Sequence, residues 1–461
     1  MMTTTVQDTS KSFVYFITIV AALAGLLFGM DTGVISGALP LIVKHFHLSD
    51  ELKGFVVSSL SIGAVAGVVL CQPISRLWGR RMGLLVSAVI FTGASIALFY
   101  VPTPSILIAI RFVLGLAIGI ATFSTPLYLS EISPRAVRGA MISTYQLMVA
   151  GGFLVAYISD AMISNSGNWH LMLGIVVIPA VFMLCFVLFL PRSPRWLILN
   201  NRESEARKVL AKILDADEME TSIREIKDSV SHKNTFWSLI SDKRFIAVVV
   251  LGLGMQFFQQ ATGDNAVNYY VPTIFKLAGF ATLHQQMLCA IVFGFVHTFM
   301  TLVAIKYVDR WGRRPILMLG LGIMALGMLM LAAIVYIGPS NDALRYTGVL
   351  STFIYTAGYS ISVGPVVWVI CSEIFPLRIR DVGIMVTTMG NWVFNAMVSQ
   401  SFPALLHKLT GPGVFMLFVV MSIIGIFFVK FLTPETKGIS LEQIENNLES
   451  GRRLRNLGVQ V

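Results

Sequence analysis

Long uncharged apolar segments recur along the whole chain of 461 residues, and they constrain its fold more than any other feature. A segment of about 20 apolar residues can cross a bilayer as a helix. The chain is 56% hydrophobic and only 13% charged, which argues against a soluble domain and predicts an all-α membrane protein. Twelve candidate spans, numbered in chain order, are 13–38, 55–75, 82–101, 105–127, 140–163, 169–190, 246–275, 285–306, 315–337, 346–371, 382–407 and 412–432.

Basic residues are concentrated in the short loops between these spans. Ten loop arginines fall on one side of the predicted membrane, and five basic residues fall on the other. The positive-inside rule therefore predicts that both termini are cytoplasmic. This placement also accounts for the net charge of +10 without a nucleic-acid partner. The first apolar run is too long for a signal peptide and lacks a small-residue cleavage site.

Two loop motifs occur twice, at equivalent positions. R-L-W-G-R-R at 76–81 returns as D-R-W-G-R-R at 309–314, after spans two and eight. E-I-S-P-R-A-V-R at 131–138 returns as E-I-F-P-L-R-I-R at 373–380, after spans four and ten. Six helices have therefore been duplicated in parallel. Such halves are typical of alternating-access carriers, which hold the substrate between the halves near the middle of the membrane.

The duplication predicts four parts of the chain. These are an N-terminal six-helix half at 1–190, a cytoplasmic linker at 191–245, a C-terminal six-helix half at 246–433 and a cytoplasmic tail at 434–461. Two apolar stripes at helical spacing predict short amphipathic helices in the linker. The stripes are Ala206, Val209, Leu210, Ile213 and Leu214, and then Met219, Ile223, Ile226 and Val230.

Span seven carries an unusual density of polar groups. Six amide or carboxylate side chains fall within the 13 residues from Gln256 to Asn268, and Gly263 and Pro272 are points where a helix can loosen. Polar side chains at bilayer depth are costly unless they face a bundle interior or a water-filled cavity. The pattern predicts a face that hydrogen-bonds a neutral, hydroxyl-rich ligand. Its alternative is hydrogen bonding between packed helices, which uses the same side chains.

The repeated loops place acidic and basic residues close together at cytoplasmic helix ends. We predict that they form salt bridges that act as a gate, closed when the cavity opens outward and broken when it opens inward. The alternative is that these charges serve topology and anchoring alone. The predicted gate residues are Arg80, Glu131, Arg138, Arg313, Glu373 and Arg380.

Taken together, these motifs resemble the sugar porter branch of the major facilitator superfamily over essentially the whole chain. The matching motifs are G-R-R after spans two and eight, both E-x-x-P-x-x-x-R loops, P-R-S-P-R-W-L at 191–197, Q-Q-x-x-G-x-N with a following Y-Y in span seven, G-P-x-x-W in span ten and P-E-T-K-G at 434–438. The resemblance implies twelve transmembrane helices in two six-helix repeats. Because both halves belong to one chain, a monomer is expected to be sufficient for transport.

By this resemblance, a sugar would contact polar side chains of spans five, seven, ten and eleven, namely Gln146, Gln259, Gln260, Asn265, Trp368 and Asn391. Aromatic wall positions of the family are matched by Phe28, Tyr269, Tyr359 and Trp392. The chemistry agrees, because an amide offers a donor and an acceptor to each hydroxyl group. An aromatic face also packs against the apolar C–H face of a sugar ring.

Asp31 and Arg111 are the candidates for proton coupling. Asp31 lies well inside span one, where an unpaired carboxylate would be expensive, and Arg111 lies near the start of span four. Matching positions are paired in proton-coupled sugar porters, whereas similar passive glucose facilitators carry Asn in place of the acid. The resemblance implies that protonation of Asp31 drives sugar uptake. The alternative is a static buried ion pair.

Several residues depart from the family pattern. Arg192 replaces the usual glutamate of P-E-S-P-R, and Phe153 stands where some proton-coupled relatives carry Gln. Asp264 replaces an apolar residue and His297 replaces an asparagine. These last two could form a second ionisable pair, help to bind a substrate of different stereochemistry, or make only a local polar contact.

The leading prediction is a proton-coupled importer of a monosaccharide, a hexose or a pentose, in the cell membrane. The alternatives are a passive sugar facilitator, a proton symporter of inositol or another polyol, and a non-transporting sugar sensor. An enzyme fits poorly, because the sequence carries no nucleophile elbow, phosphate-binding loop or metal-ligand cluster, and no cofactor is predicted. The four cysteines all fall within apolar runs, which indicates packing residues and no disulfide framework.

Overall fold

The computed structural model describes residues 2–134, 137–230, 243–375, 380–439 and 441–459, which are mostly helical. The membrane-crossing helices are Met2–Phe46, Asp50–Trp78, Arg80–Ala97, Pro104–Ile132, Arg138–Ile163, Trp169–Gly174 with Val177–Val187, Lys243–Ala261 with Asp264–Tyr269 and Val271–Leu277, Leu283–Trp311, Arg313–Ile337, Asp342–Ile361 with Val363–Glu373, and Arg380–Leu432. They correspond in order to the predicted spans. Asn341 and the capping box of Thr282 begin two of them on the side away from the repeated arginines.

Eleven helices in the described ranges are long and apolar enough to cross a membrane, and the last of them contains two spans. Its apolar part, Val382–Leu432, has 51 residues. At about 1.5 Å per residue this is roughly 75 Å, more than twice the thickness of a hydrocarbon core. Thr410 breaks the helix with φ 62° and ψ 173°. The prediction of twelve spans is therefore confirmed.

Spans seven and ten are interrupted near their middle. Span seven breaks at Gly263, whose φ of 97° lies in the left-handed region that glycine enters without steric cost. Span ten breaks at Ser362, with φ −130° and ψ −88°. A broken helix leaves main-chain groups without helical partners, and carriers place such breaks at their substrate and ion sites.

Each half is held together by close helix packing. Spans one and five, and spans two and four, pack against each other in the N-terminal half, and span nine packs against span ten in the C-terminal half. A Cβ atom on Gly63 would lie 2.1 Å from the Phe112 carbonyl oxygen, so this contact requires glycine. Small residues at such crossings let two backbones approach within the membrane.

The two halves meet along two pairs of spans. Span two packs against span eleven, and span five packs against span eight. Ser58 Oγ donates to Gln400 Oε1 at 2.6 Å, and Ser61 Oγ donates to Asn395 Oδ1 at 2.8 Å. Both hydrogen bonds lie in the half of the bundle away from the repeated arginines, which we call the far end. The opposite end, with the turns at Gly79 and Gly312, is called the arginine end.

The described part of the linker contains three short helices, Pro194–Leu199, Glu203–Leu210 and Ala216–Val230. A small separate core joins them, made of Trp196, Leu197, Ile198, Ala206, Leu210 and Ile223. Members of both predicted apolar stripes are therefore buried against each other, although the side chain of Val230 lies outside the described residues. The described residues of the tail contain the α-helix Leu441–Glu449 and the short 3-10 helix Leu454–Asn456.

Candidate functional site

A network of buried amides occupies the middle of the C-terminal half. Asn391 of span eleven donates both hydrogens of its Nδ2, one to Gln256 Oε1 at 2.7 Å and one to Gln259 Oε1 at 2.6 Å. All three side chains are buried. Gln259 and Asn391 were predicted as sugar contacts. Gln256 lay in the polar stretch of span seven but was not among the predicted contacts.

The break in span ten is tied to this network. Gln259 Nε2 donates to the carbonyl oxygens of Val363 and Gly364, at 3.0 and 3.1 Å, directly after the irregular residue Ser362. Buried main-chain oxygens need such partners when a helix is interrupted. One amide of span seven thus satisfies main-chain groups of span ten while its own oxygen is held by span eleven.

Of the remaining predicted sugar contacts, Gln260 is as buried as the network, whereas the other three are partly exposed. Asn265 Nδ2 donates to Gln260 Oε1 at 2.7 Å, so the second glutamine and the asparagine of the Q-Q-x-x-G-x-N motif hydrogen-bond to each other. Gln146 of span five, Asn265 and Trp368 of span ten are each partly exposed. These side chains keep polar and aromatic surface available, while the buried amides hydrogen-bond to one another.

An aromatic contact closes the network toward the N-terminal half. Phe28 of span one packs edge-on against Trp392 of span eleven, with ring centroids 5.3 Å apart. Trp392 is buried, and its Nε1 has no hydrogen-bond partner in the described part of the chain. Since spans one and eleven belong to different halves, movement of the halves would change this contact.

Tyr269 lies elsewhere in the site. It was expected to line the sugar wall, but its side chain is fully buried, and its neighbours are Asp31, Arg111, Ser61 and Thr32 of the N-terminal half. The structure therefore places this tyrosine beside the predicted proton-coupling pair. Tyr269 follows the break at Gly263, so this part of span seven lies close to that pair.

Asp31 and Arg111 form a buried ion pair that has no direct hydrogen bond. Arg111 Nη1 lies 3.8 Å from Asp31 Oδ2, and the two side chains are 0% and 1% exposed. Arg111 Nε donates to the carbonyl oxygen of Val56 at 2.7 Å, which fixes the guanidinium from span two. Both carboxylate oxygens and both terminal nitrogens lack hydrogen-bond partners among the described residues. Desolvation of both ions makes such a pair sensitive to any loss of charge.

Asp264 and His297 are not joined directly. Asp264 accepts a hydrogen bond from Asn268 Nδ2 at 3.0 Å, and the Tyr359 side chain lies beside its carboxylate. The His297 ring stacks on Phe153 with centroids 5.5 Å apart and meets the edge of Tyr359 at 6.1 Å. Tyr359 therefore contacts both residues.

At the arginine end, each half contains one of the predicted gate salt bridges. Arg80 Nη2 lies 3.0 Å from Glu131 Oε1. Arg313 donates to both oxygens of Glu373, from Nη2 at 2.9 Å and from Nε at 3.3 Å. Both pairs connect elements within one half. Of the other two predicted gate residues, the Arg138 side chain lies outside the described residues, and Arg380 is half-buried at the start of its helix.

A third internal repeat completes these salt bridges, and sequence reasoning missed it. Ser193 Oγ donates to Glu131 Oε2, and Thr436 Oγ1 donates to Glu373 Oε2, each at 2.5 Å. The two hydroxyl residues occupy the same place in Pro-x-Ser and Pro-x-Thr, which directly follow spans six and twelve. That shared spacing was the available signal.

Glu435, within the second of these motifs, has a role of its own. Its Oε1 and Oε2 accept the backbone N–H groups of Arg313 and Arg314, each at 3.0 Å. A carboxylate at this place satisfies free helix N–H groups and interacts favourably with the helix dipole. The corresponding residue of the N-terminal half is Arg192, whose guanidinium instead lies over the Trp196 ring at 5.4 Å. At the arginine end, therefore, a carboxylate caps the helix in the C-terminal half, and an arginine stands at the equivalent position in the N-terminal half.

Two packed helical halves, with the broken spans seven and ten in the C-terminal half, define a multi-pass membrane transporter of the major facilitator fold. The sequence model of the family described as "Sugar (and other) transporter" matches residues 17–448, and the chain belongs to this family.

Similar proteins agree with this assignment. The chain is 41% identical over 451 residues to a galactose-proton symporter of Escherichia coli (strain K12), with 97% of each chain covered. It is 43% identical over 449 residues to an arabinose-proton symporter of the same strain, covering 96% of this chain and 95% of that protein. The partially occluded inward-open conformation of the xylose transporter XylE from E. coli matches with a TM-score of 0.83 and 30% identity, covering 93% of this chain and 100% of that chain.

Proposed function

We propose that the protein imports a monosaccharide, a hexose or a pentose, together with protons by alternating access. The observation that carries the proposal is the position of Tyr269. It belongs to the same broken span as the two glutamines of the amide network, and it lies near the Asp31–Arg111 pair. A change at the sugar site can therefore reach the ion pair through one short helix, Asp264–Tyr269. The names of the relatives, a galactose-proton and an arabinose-proton symporter, support this reading.

Asp31 is the group that carries the proton in this proposal. While the carboxylate is ionised, it attracts Arg111 across 3.8 Å in a site from which water is excluded. Protonation removes that attraction and also removes the cost of holding a charge through the occluded state. The membrane potential adds about 2.3 kcal/mol per charge per 100 mV to inward proton movement. Release of the proton on the cytoplasmic side restores the pair and resets the carrier.

The sugar is held by the amide network and its aromatic neighbours. Its hydroxyl groups replace some of the amide–amide hydrogen bonds made by Asn391, Gln259 and Gln260, because each amide supplies both a donor and an acceptor. Gln146, Asn265 and Trp368 add contacts from their partly exposed surfaces. Gln256 joins the predicted contacts, since it shares the Asn391 donor with Gln259.

The remaining features of the proposal concern placement and assembly. The protein lies in the plasma membrane, and both termini and the linker lie in the cytoplasm. The chain consists of four parts, at 1–190, 191–245, 246–433 and 434–461. The salt bridges of the arginine end rearrange as the halves move. A monomer in the lipid bilayer is sufficient, since both halves of the site belong to one chain, and the protein carries out no catalytic reaction.

The test is uptake of labelled sugar into proteoliposomes under an imposed proton gradient. D-Galactose, L-arabinose, D-xylose, D-glucose and myo-inositol form the panel. We expect the native protein to accumulate at least one monosaccharide above equilibrium. Asp31→Asn should accumulate it to a lower ratio than the native protein, and should only equilibrate or exchange it where Asp31 is the sole coupling group, because the variant side chain cannot change its charge. Asp342→Asn, which removes an exposed carboxylate at the start of span ten, is the matched control.

Two results would contradict the proposal. If the native protein never exceeds equilibrium under any gradient, it is a facilitator and the buried pair is structural. If it concentrates only myo-inositol, the substrate is a polyol.

A further inference from the structure

A second buried carboxylate lies where the two halves meet, apart from the Asp31–Arg111 pair. Asp264 begins the helix Asp264–Tyr269 after the break in span seven, and its side chain is 3% exposed. Its Oδ2 accepts the hydrogen bond from Asn268, but its Oδ1 has no hydrogen-bond donor among the described residues. In that part of the chain, no basic side chain forms a salt bridge with Asp264 within 4.0 Å.

The Asp264 carboxylate is connected to the opposite half by two hydrogen bonds in series. Asn268 Nδ2 donates to Asp264 Oδ2 at 3.0 Å, and Tyr157 Oη of span five donates to Asn268 Oδ1 at 3.3 Å. Span five belongs to the N-terminal half and span seven to the C-terminal half. This chain of side chains therefore crosses the surface along which the halves must separate.

The other groups around Asp264 come from three spans and do not supply a paired positive charge. Tyr355 Oη of span ten donates its hydrogen bond to the carbonyl oxygen of Thr262, at 3.0 Å. The basic residue of the neighbourhood, His297, is held against Phe153 and reaches only the edge of Tyr359. The titratable groups facing the site are Tyr157 of span five, His297 of span eight, and Tyr355 and Tyr359 of span ten; Asp160 lies one turn beyond Tyr157 on span five.

An ionised carboxylate in these surroundings would be poorly compensated. Removing an ion from water costs several kcal/mol unless a counter-ion and further hydrogen bonds compensate it. A protonated carboxyl carries no charge, and Oδ1 is then the oxygen free to hold the hydrogen. When the halves separate between Tyr157 and Asn268, water reaches the carboxyl group and lowers the free-energy cost of its ionised form. Movement of the halves thus switches Asp264 between holding and releasing a proton.

We propose that Asp264 is a second proton-binding site, so that two protons accompany each sugar. The inference rests on the proposed function and extends it, because Asp31 alone would couple one proton. Asp264 directly precedes Asn265, a proposed sugar contact, so sugar binding and proton loading share the same turn of helix. Both carboxyl groups load on one side of the membrane and release on the other.

Asp160 provides a matched control for this site. It is another fully buried carboxylate, and both of its oxygens lack hydrogen-bond partners among the described residues. It packs on span one, where a Cβ atom added to Gly37 would lie 2.3 Å from Asp160 Oδ2. Spans one and five belong to the same half and move together. Asp160 therefore keeps its surroundings through the cycle and does not exchange its proton.

The first experiment measures the number of protons moved with each sugar. Proteoliposomes with no membrane potential receive a gradient of one pH unit, and the sugar gradient that stops net flux is found with labelled D-galactose and L-arabinose. One coupled proton balances an approximately tenfold sugar gradient, and two balance roughly a hundredfold gradient. We expect roughly a hundredfold for the native protein and for Asp160→Asn, and about tenfold for Asp264→Asn.

The possible failures are distinct. A native balance point near tenfold that Asp264→Asn does not change overturns the second site and leaves proton coupling intact. An equal drop in Asp160→Asn also overturns it, since the effect would then not depend on the contact between the halves. A native protein with no proton-dependent balance point contradicts the proposed function, and the second site is refuted with it.

A second measurement needs no sugar transport. Infrared difference spectra of the reconstituted native protein after a pH jump should show the carbonyl band of a protonated carboxyl group that loses its proton. We expect Asp264→Asn to remove one component of this band, while Asp160→Asn and Asp31→Asn retain that component. A native spectrum without such a band, or an unchanged band in Asp264→Asn, overturns the proposal even if the variant transports poorly.

Discussion

At the scale of single residues, Asn391 joins the two buried glutamines of the candidate site. One side-chain nitrogen supplies the donors for two buried glutamine oxygens, and no other donor to those oxygens is present in the described chain. A buried acceptor that loses its donor costs about 1–3 kcal/mol. The side chain therefore sets the orientation of Gln256 and Gln259 before a sugar arrives.

We expect Asn391→Ala to weaken sugar binding by roughly tenfold to a hundredfold, which corresponds to about 1.4–2.8 kcal/mol. Two glutamine oxygens lose their donor, and Gln259 becomes free to leave the carbonyl oxygens of span ten. Equilibrium binding of labelled sugar to the purified protein in detergent measures the effect. Ser401→Ala is the control, because this exposed hydroxyl of span eleven bonds only to its own helix backbone. Equal affinities for the two variants would contradict the role of Asn391.

Tyr269 shows why residue roles were only partly predictable. A continuous helix places Gln256, Gln260 and Gly263 on one stripe, and side chains further along follow from the 3.6-residue period. The left-handed conformation of Gly263 interrupts that period, so the direction of later side chains no longer follows from spacing. The sequence indicated that the helix loosens here. It could not indicate that Tyr269 would meet Arg111, which lies in the other half.

At the scale of elements, the two halves differ in how the third and ninth spans begin. Both begin after a glycine, Gly79 or Gly312, with φ of 87°. In the C-terminal half, Glu435 accepts two N–H groups of the first turn. In the N-terminal half, Arg192 stands at the equivalent position, and a positive charge cannot accept them. The duplication therefore preserves the salt bridges but not the helix cap.

We expect Glu435→Gln to lower the free energy of unfolding by about 1 kcal/mol, since a charged cap at a helix N-terminus is lost. Arg192→Glu should raise it by a similar amount, because it restores in the N-terminal half the cap present in the other. Thermal unfolding of the purified variants in detergent checks both changes. Arg192→Gln serves as the control for simple loss of the arginine. Stabilisation by Arg192→Gln equal to that by Arg192→Glu would show that no cap is formed.

The linker helices are held by exposed ion pairs as well as by their small core. Lys227 pairs with Glu203 at 2.7 Å and thereby joins the helices Ala216–Val230 and Glu203–Leu210, while Arg207 pairs with Glu203 within the second of these helices. Hydrogen bonds from Lys227 and Arg207 hold the pKa of Glu203 below its usual range. A carboxyl group of this kind stabilises the folded state above its unfolded pKa of about 4.3, and the contribution is lost as the pH falls through the folded pKa.

We expect the linker to lose protection from hydrogen exchange as the pH is lowered from 7 to below about 4. Exchange of the peptides covering Glu203–Leu210 and Ala216–Val230, corrected for the intrinsic rate at each pH, measures it. Glu203→Gln should lower protection at pH 7 and flatten the pH dependence. Glu218→Gln, at an exposed position of the same linker, is the control. An unchanged profile in Glu203→Gln would show that the apolar core alone holds the helices.

At the scale of the whole molecule, the halves are joined at the far end by side chains of spans two and eleven. Ser58 bonds to Gln400, and Ser61 bonds to Asn395. A Cβ atom on Gly54 would lie 2.4 Å from the Gln400 carbonyl oxygen, so the backbones also come close. Alternating access requires these contacts to break when the cavity opens at this end.

We expect a short thiol cross-linker between Ser58→Cys and Gln400→Cys to stop sugar uptake almost completely, because the halves can no longer separate at the far end. Cleavage of the linker should restore uptake. Arg81→Cys with Leu188→Cys is the control, since this pair is in contact within one half at the arginine end. The native cysteines are first replaced by serine. Full uptake with the cross-link in place at Ser58 and Gln400 would contradict the alternating movement.

The sequence by itself determined the class of fold. Apolar segments longer than the bilayer core must cross it as helices, because a lipid-exposed backbone must satisfy its own hydrogen bonds. The doubled loop motifs determined the two halves, and residue type alone marked the amides of span seven and the charges of Asp31 and Arg111 as costly within a membrane and therefore as candidates for function.

Only the tertiary structure decided which of these groups meet. Asn391 lies 135 positions from Gln256 and Ser61 lies 334 positions from Asn395. Helical periodicity carries information over a few turns, whereas these contacts depend on how distant helices cross and on where spans seven and ten break. The position of Tyr269 near Arg111, and the position of Asp264 between the halves, follow from that packing.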